Sequence, residues 1–271
     1  MSSHAYRLGI VGVGKMGSAL VKALLSREAL QPEDVIAADI SSQARDRLAS
    51  DCPGVTVVDS VREATQDCEV LLIAVKPQYF ESALSASVEA LPQGQLIVSI
   101  MAGVPISRIA ALLGQDKPII RTMPNVCCEV VQGAFGYAAN EVVSDQQKAL
   151  VSGWFSAIGV AEDLKEELLD AVTGLSGSGP AFVAVFIEAL ADGGVASGLP
   201  RSVAQNLAAQ TVLGAAEWVK HRGGPSALKD MVCSPAGTTI AGVRVLEAGG
   251  LRTAAIEAVV AATERSKQFG Q

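Results

Sequence analysis

Between residues 7 and 138 the apolar positions gather into seven short runs rich in Val, Ile, Leu and Ala, at 7–11, 35–38, 55–57, 70–74, 96–99, 119–122 and 133–138. Short, largely apolar runs suit strands covered on both faces. The stretches between them have helical character. Pro105 opens one at a helix-start position, and 145–158 reads as another that closes this half. Strands alternating with helices predict an α/β fold with a doubly wound sheet. From residue 164 the pattern changes. The segments 164–173, 179–197, 201–221, 226–232, 238–248 and 251–267 have helical spacing, are rich in alanine and are punctuated by Gly and Pro, with Pro200 and Pro225 at boundaries. No strand is predicted there. Two domains are therefore expected, 1–163 and 164–271, the second all-helical.

That second domain is short for the amount of apolar helix surface it carries. Ala184, Ala189, Ala191, Ala208, Ala209, Ala215 and Ala216 allow close helix approach, and the surplus surface predicts burial against a second copy, hence a homo-oligomer. Composition agrees: 49% of the 271 residues are hydrophobic but only 4% aromatic, so cores must be built from aliphatic side chains. The net charge of −7, without a block of Lys or Arg, gives no footprint for nucleic acid or an anionic membrane and favours a small-molecule partner. The apolar run at 8–13 is too short to span a bilayer and lacks a cationic flank, so a cytoplasmic location is expected. Cys52, Cys68, Cys127, Cys128 and Cys233 show no metal-ligand spacing and read as free thiols. Neither His4 nor His221 sits in a triad-like neighbourhood.

The first chemistry-bearing motif is Gly12-Val13-Gly14-Lys15-Met16-Gly17, between the strand ending at Val11 and a helical stretch. In that context Gly12 permits the tight turn, Gly14 lets backbone approach a pyrophosphate, and Gly17 lets helix pack on strand. The first domain is thus expected to be a Rossmann-like dinucleotide-binding domain. Asp39, 22 positions after Gly17 at the end of the second strand, is placed to bind the ribose 2′-OH of NAD or to cap the following helix. Ser41, Ser42, Arg45 and Arg47 offer a 2′-phosphate site instead, so both NAD(H) and NADP(H) stay open. Lys76, after the fourth strand, faces the cofactor or solvent. Met101-Ala102 and Met123-Pro124-Asn125 follow later strands at the same edge and suit a wall for the nicotinamide.

In the helical half, Met231-Val232-Cys233-Ser234-Pro235-Ala236-Gly237-Thr238-Thr239 runs through a turn into a helix. Its N–H groups and hydroxyls suit a carboxylate, though Ser, Thr and Gly also cap helices with no further purpose. The loop Ser176–Pro180 reads as a contact to ligand or as a packing hinge. Together these elements resemble the pyrroline-5-carboxylate reductase family. The resemblance runs through the N-terminal fingerprint, Ala74-Val75-Lys76-Pro77, Met123-Pro124-Asn125, Gly174-Leu175-Ser176-Gly177-Ser178-Gly179-Pro180-Ala181, Ala191-Asp192-Gly193-Gly194-Val195, Gly198-Leu199-Pro200 and the segment from Leu228 to Glu247.

That resemblance implies an all-helical C-terminal dimerisation domain, assemblies up to decamers, and NAD(P)H-dependent reduction of L-1-pyrroline-5-carboxylate to L-proline. By matching position Val11, Gly12, Val13, Gly14, Lys15 and Met16, with Ala74, Val75, Lys76 and Pro77 and with Ile100, Met101 and Ala102, would contact cofactor; Gly17, Asp39, Ser41 and Asn125 join them from the reading above. Met231, Val232, Gly237, Thr238 and Thr239, with Ser176, would contact substrate, Thr239 lying nearest the imine nitrogen. Where many members continue Met-Pro-Asn with Thr-Pro, this chain has Val126-Cys127 and no hydroxyl. Related β-hydroxyacid dehydrogenases use a lysine on the long interdomain helix, and 179–197 contains none.

Overall fold

The computed structural model describes residues 4–269. Its contacts divide the chain into two compact units, one running to Ser178 and rejoined from Ala261 onward, the other Gly179–Val260.

In the first unit β1 (Tyr6–Val11), α1 (Lys15–Ser26), β2 (Val35–Ala38), α2 (Ser42–Asp51), β3 (Thr56–Val58), α3 (Val61–Gln66), β4 (Cys68–Ile73), α4 (Phe80–Leu84), β5 (Leu96–Ser99), α5 (Ile106–Leu113), β6 (Ile119–Met123), β7 (Gly133–Ala139), α6 (Asp145–Ala157) and β8 (Gly159–Asp163) form one sheet with its covering helices. The strand order is β3-β2-β1-β4-β5-β6-β7-β8. Every pair is parallel except β6 with β7. Ile10, Leu71, Ile73 and Ile97 are fully buried because the sheet is packed on both faces. The order reverses beside β1, the place where open α/β sheets bind ligands outside their strands' carboxyl ends. Val11 pairs with Ala38 on one side and Ile73 on the other, which brings the turns after β1, β2 and β4 together.

The eighth strand is the element that the apolar pattern misses. β8 lies at the sheet edge, carries the sequence Gly-Val-Ala-Glu-Asp and is largely exposed, so it has no continuous apolar run to announce it. It pairs with β7 where Gly159 meets Gly133; a Cβ at Gly159 would lie 2.0 Å from the Gly133 carbonyl oxygen.

Beyond β8, α7 (Leu169–Val172) and a π-helical turn, Thr173–Gly177, remain with the sheet. Leu169 is buried, and Val172 lies against β7 at Gly136, where an added Cβ would come within 2.7 Å of a valine methyl. Compactness therefore changes at Ser178, later than the expected functional boundary at 163. A buried guanidinium fastens this part. Arg121 on β6 donates to Glu166 at 3.2 Å and lies 3.9 Å from Asp170. Glu166 also accepts from the Ile106 N–H, and Asp170 accepts from the Ser266 hydroxyl near the end of the last helix.

The second unit comprises α8 (Gly179–Ala196), α9 (Arg201–Arg222), α10 (Pro225–Val232), α11 (Thr238–Ala248) and the first part of α12 (Leu251–Phe269). Its internal core is small: Ala191, Ala204 and Ala208, with Ile187 and Val195 beside them. Small side chains let α8 and α9 lie close, and a Cβ at Gly194 would sit 3.1 Å from that of Ala204. Larger apolar residues face outward, among them Val185, Leu207, Leu213 and Ile256. The stretch Glu166–Ala196 has a window of mean hydropathy 1.4 and is long and apolar enough to cross a membrane, yet only 6% of that window is buried within the chain.

Candidate active site

The turn after β1 is built as a receptor for an anion. Gly12 has φ 98, a conformation that L side chains rarely adopt, and a Cβ there would strike the backbone of Ala74 and Val75 at 2.8–2.9 Å. At Gly17 a Cβ would meet the Gly12 carbonyl oxygen at 2.1 Å, so α1 can start this close to the strand only with glycine. A Cβ on Gly14 would meet nothing within 4 Å. Gly14 is the N-cap of α1 and supplies no side-chain cap, so the first N–H groups of that helix are left for a ligand.

Around this turn lies a cavity of about 400 Å³ lined by Val11, Gly12, Gly14, Ala38, Asp39, Ile40, Ser41, Val61, Ala74, Val75, Lys76 and Tyr79, among others. The Asp39 carboxylate is fixed at both oxygens: one accepts from the Val13 N–H at 2.8 Å, the other from the Ser41 N–H at 2.8 Å. Ser41 caps α2 by accepting from the Ala44 N–H. Arg45 donates to the Asp39 carbonyl at 2.7 Å. Ile40 is 90% exposed and Tyr79 55%, two apolar surfaces at the rim of the same cavity. Sequence reading missed both. An isoleucine directly after the strand-end acid, outside the apolar run, is the signal that was there to be read.

The motif positions do not all lie on this cavity. Lys15 lines a second cleft of about 550 Å³ with Ser18, Lys22, Arg47, Asp51 and Glu129. Met16 and Gly17 lie in α1, Gly17 fully covered, and Pro77 begins a short 3-10 turn. Ile100, Met101 and Ala102 follow β5 at the same sheet edge, with the Ile100 N–H bonded to the Ile73 carbonyl and Met101 buried. Asn125 is buried and its amide is engaged at both ends: it donates to the Ser176 carbonyl at 3.0 Å and accepts from the Ala134 N–H at 3.1 Å. It thereby ties the turn after β6 to the π-helical turn. Ser176 itself donates to the Val172 carbonyl.

In the helical unit, Met231 and Val232 end α10 and are at least half exposed. The turn that follows holds Ala236 at φ 56, the left-handed region, and the Gly237 N–H bonds back to the Ser234 carbonyl. A Cβ on Gly237 would lie 2.3 Å from the Ser234 hydroxyl oxygen, so a larger residue here would turn that hydroxyl away. No side chain caps α11, so the N–H groups and hydroxyls of Thr238 and Thr239 stand together at an open helix N-terminus. The cysteines are free, with Cys52, Cys68 and Cys128 buried. Burial pushes the Cys68 thiol up to about 12 and Cys128 up to about 11.

Residues 166–269 match the family model described as pyrroline-5-carboxylate reductase dimerisation, and residues 7–103 match that described as NADP oxidoreductase, coenzyme F420-dependent. The chain is 47% identical over 266 residues to a pyrroline-5-carboxylate reductase of Synechocystis, covering 98% of each, and 39% identical over 268 residues to that of Escherichia coli, again covering 98% of each. Among solved structures it superposes on a pyrroline-5-carboxylate reductase from Coxiella burnetii with TM-score 0.91 at 31% identity, over 98% of this chain and 99% of that one. The Plasmodium falciparum pyrroline carboxylate reductase with NADP bound gives TM-score 0.87 at 31% identity over 100% of both.

Proposed function

The chain belongs to the pyrroline-5-carboxylate reductase family, and we propose that its 400 Å³ cavity at the β1 turn holds the dinucleotide while the uncapped start of α11 holds the imino-acid substrate. The protein is an NAD(P)H-dependent oxidoreductase that reduces L-1-pyrroline-5-carboxylate to L-proline, the last step of proline biosynthesis. It works with a small-molecule substrate, and its C-terminal region serves oligomerisation.

The residues at the first site fit a dinucleotide: the turn is open at Gly14, the helix start is uncapped, and a fixed carboxylate stands at the end of β2. Val11, Gly12, Val13, Gly14 and Met16, with Ala74 to Pro77, cradle the phosphates and ribose. Asp39 and Ser41 face the adenosine ribose, and Ile40 and Tyr79 cover the base. Lys15 reaches the phosphate side from the neighbouring cleft. Ile100, Met101, Ala102 and Asn125 continue the wall along the strand ends, Asn125 by holding the turn in place. The bound cofactor supplies the hydride.

At the second site the free N–H groups of α11 and the Thr238 hydroxyl hold the substrate carboxylate, because a helix N-terminus favours an anion. Thr239 makes a hydrogen bond at the ring nitrogen. Met231, Val232 and Gly237 shape the pocket around it, and Ser176 is counted with the substrate-binding residues. A cyclic imine takes its proton from water before binding, so the chain's contribution is positioning and charge complementarity rather than a strong acid. The single observation that carries this reading is the open start of α11, whose first N–H groups no side chain caps and whose first two residues are threonines. Residues 1–163 then serve the cofactor and 164–271 the substrate and assembly.

Further, the outward apolar faces of α8 and α9 pack against a second copy, making a dimer at least and, by repetition, a decamer of five dimers. A second copy over those faces would cover much of the apolar stretch at Glu166–Ala196, which is in keeping with a cytoplasmic protein. The test is oxidation of NADH or NADPH by purified protein with the imine. Rapid imine-dependent oxidation is expected, and Thr239→Ala should lower kcat/KM by on the order of 10²–10³. An unchanged kcat/KM would remove Thr239 from the site.

A further inference from the structure

We infer that Asp39 makes this chain select NADH over NADPH, an inference that rests on placing the dinucleotide in the cavity beside it. A carboxylate offers about four lone-pair positions. Two are taken by the Val13 and Ser41 N–H groups at 2.8 Å each, which leaves two, the number that a ribose 2′,3′-diol needs. The same two bonds hold the carboxylate to the glycine turn and to the start of α2, so it has no freedom to swing aside for a bulkier group. A 2′-phosphate carries close to two negative charges near neutral pH and has little proton to donate. Beside Asp39 it meets unused lone pairs and a like charge.

The cations that would rescue such a phosphate are directed elsewhere. Arg45 is bonded to the Asp39 main-chain carbonyl, Arg47 to Gln43, and neither lines the cavity. Lys76 does line it, but from beyond β4, with β1 intervening between β4 and β2. Two strand spacings put it about 10 Å across from Asp39. Ser41 accepts the Ala44 N–H at the start of α2, and its remaining O–H is a neutral donor that cannot balance the charge of a 2′-phosphate.

The experiment is titration of the unmutated protein with NADH and with NADPH by calorimetry, without imine, followed by kcat/KM for each cofactor with it. NADH should bind more tightly by on the order of 10²-fold, since like-charge juxtaposition costs several kcal/mol. Asp39→Asn, which keeps shape and an acceptor but removes the charge, should cut that ratio about tenfold or more. Adenosine 2′,5′-bisphosphate should compete with NADH more weakly than 5′-AMP does in the unmutated protein. Equal or tighter binding of NADPH by the unmutated protein overturns the inference whatever the variant does, and so does an Asp39→Asn protein of native circular dichroism that keeps the full ratio. Selective NADH binding without imine turnover would leave this inference standing and remove the reductase reading. Turnover that prefers NADPH would do the reverse.

Discussion

The two units solve the burial problem in opposite ways. The sheet unit encloses large aliphatic and aromatic side chains, Leu20, Ile73, Phe80 and Ile97 among them, at essentially zero exposure. The helical unit buries three alanines and turns Val185, Leu207, Leu213 and Ile256 outward. Burial of a Leu- or Val-sized side chain stabilises by about 1.5–3 kcal/mol, whereas an alanine contributes far less, so the first unit is complete in one chain and the second is not. The lesson is that an apolar pattern can be satisfied within the chain or across copies, and only the size of the residues at close contacts tells which.

The sharpest way to break this contrast is to charge the outward face. Val185→Glu combined with Leu207→Glu should reduce the mass in light scattering to that of the single 27.9 kDa chain. Activity should fall by about 10²-fold or more, because misplacing a site by an ångström is enough for that. Retention of the assembly would show that this face is not the interface. Next in size, Ile10→Ala in the sheet core should cost about 2–5 kcal/mol, measured as a melting shift that does not vary with protein concentration. Leu207→Ala should give a smaller shift that grows on dilution, as expected where folding and association are linked. Equal, concentration-independent shifts at both positions would erase the distinction.

Smaller again is Ser266→Ala, which removes the bond to Asp170 from the end of α12. A loss of about 1 kcal/mol is expected, with the unfolding midpoint in urea as the readout. The slightest effect concerns the buried thiols. With Cys68 pushed up to about 12 and Cys128 to about 11, both stay almost wholly protonated at pH 8. Their labelling by a thiol reagent should be far slower in the native protein than in urea, since the thiolate is the reactive form. Native labelling at the unfolded rate would show that the sheet unit opens readily.

The sheet and helices were legible where hydrophobic runs were long. The strands at 35–38 and 96–99 and the helix at 238–248 coincide with the observed elements. β8 was not legible because an edge strand needs little apolar surface. The glycine turn was readable from its spacing, and its steric necessity at Gly12 and Gly17 now has atoms attached to it. What spacing did not carry was the division of labour among polar side chains. Asn125 read as part of a wall for the nicotinamide; the structure adds that its amide bonds to Ser176 and Ala134 and so holds that turn. Lys15 read as part of the phosphate turn; the structure adds that its side chain lines a cleft that Val13 and Gly14 of that turn also line. Rotamer and partner choice depend on tertiary neighbours, which a pattern along the chain does not encode.

The return of the chain to its first unit has a consequence for synthesis. The helical unit is inserted between Ser178 and Ala261, so the sheet unit is discontinuous, and Asp170 waits for Ser266, 96 positions later. At translation rates of about 5–20 residues per second that interval lasts roughly 5–20 s. During it the nascent sheet has its ion cluster half assembled and its neighbour still emerging. The bond between Asp170 and Ser266 is therefore made only after the whole helical unit has been synthesised.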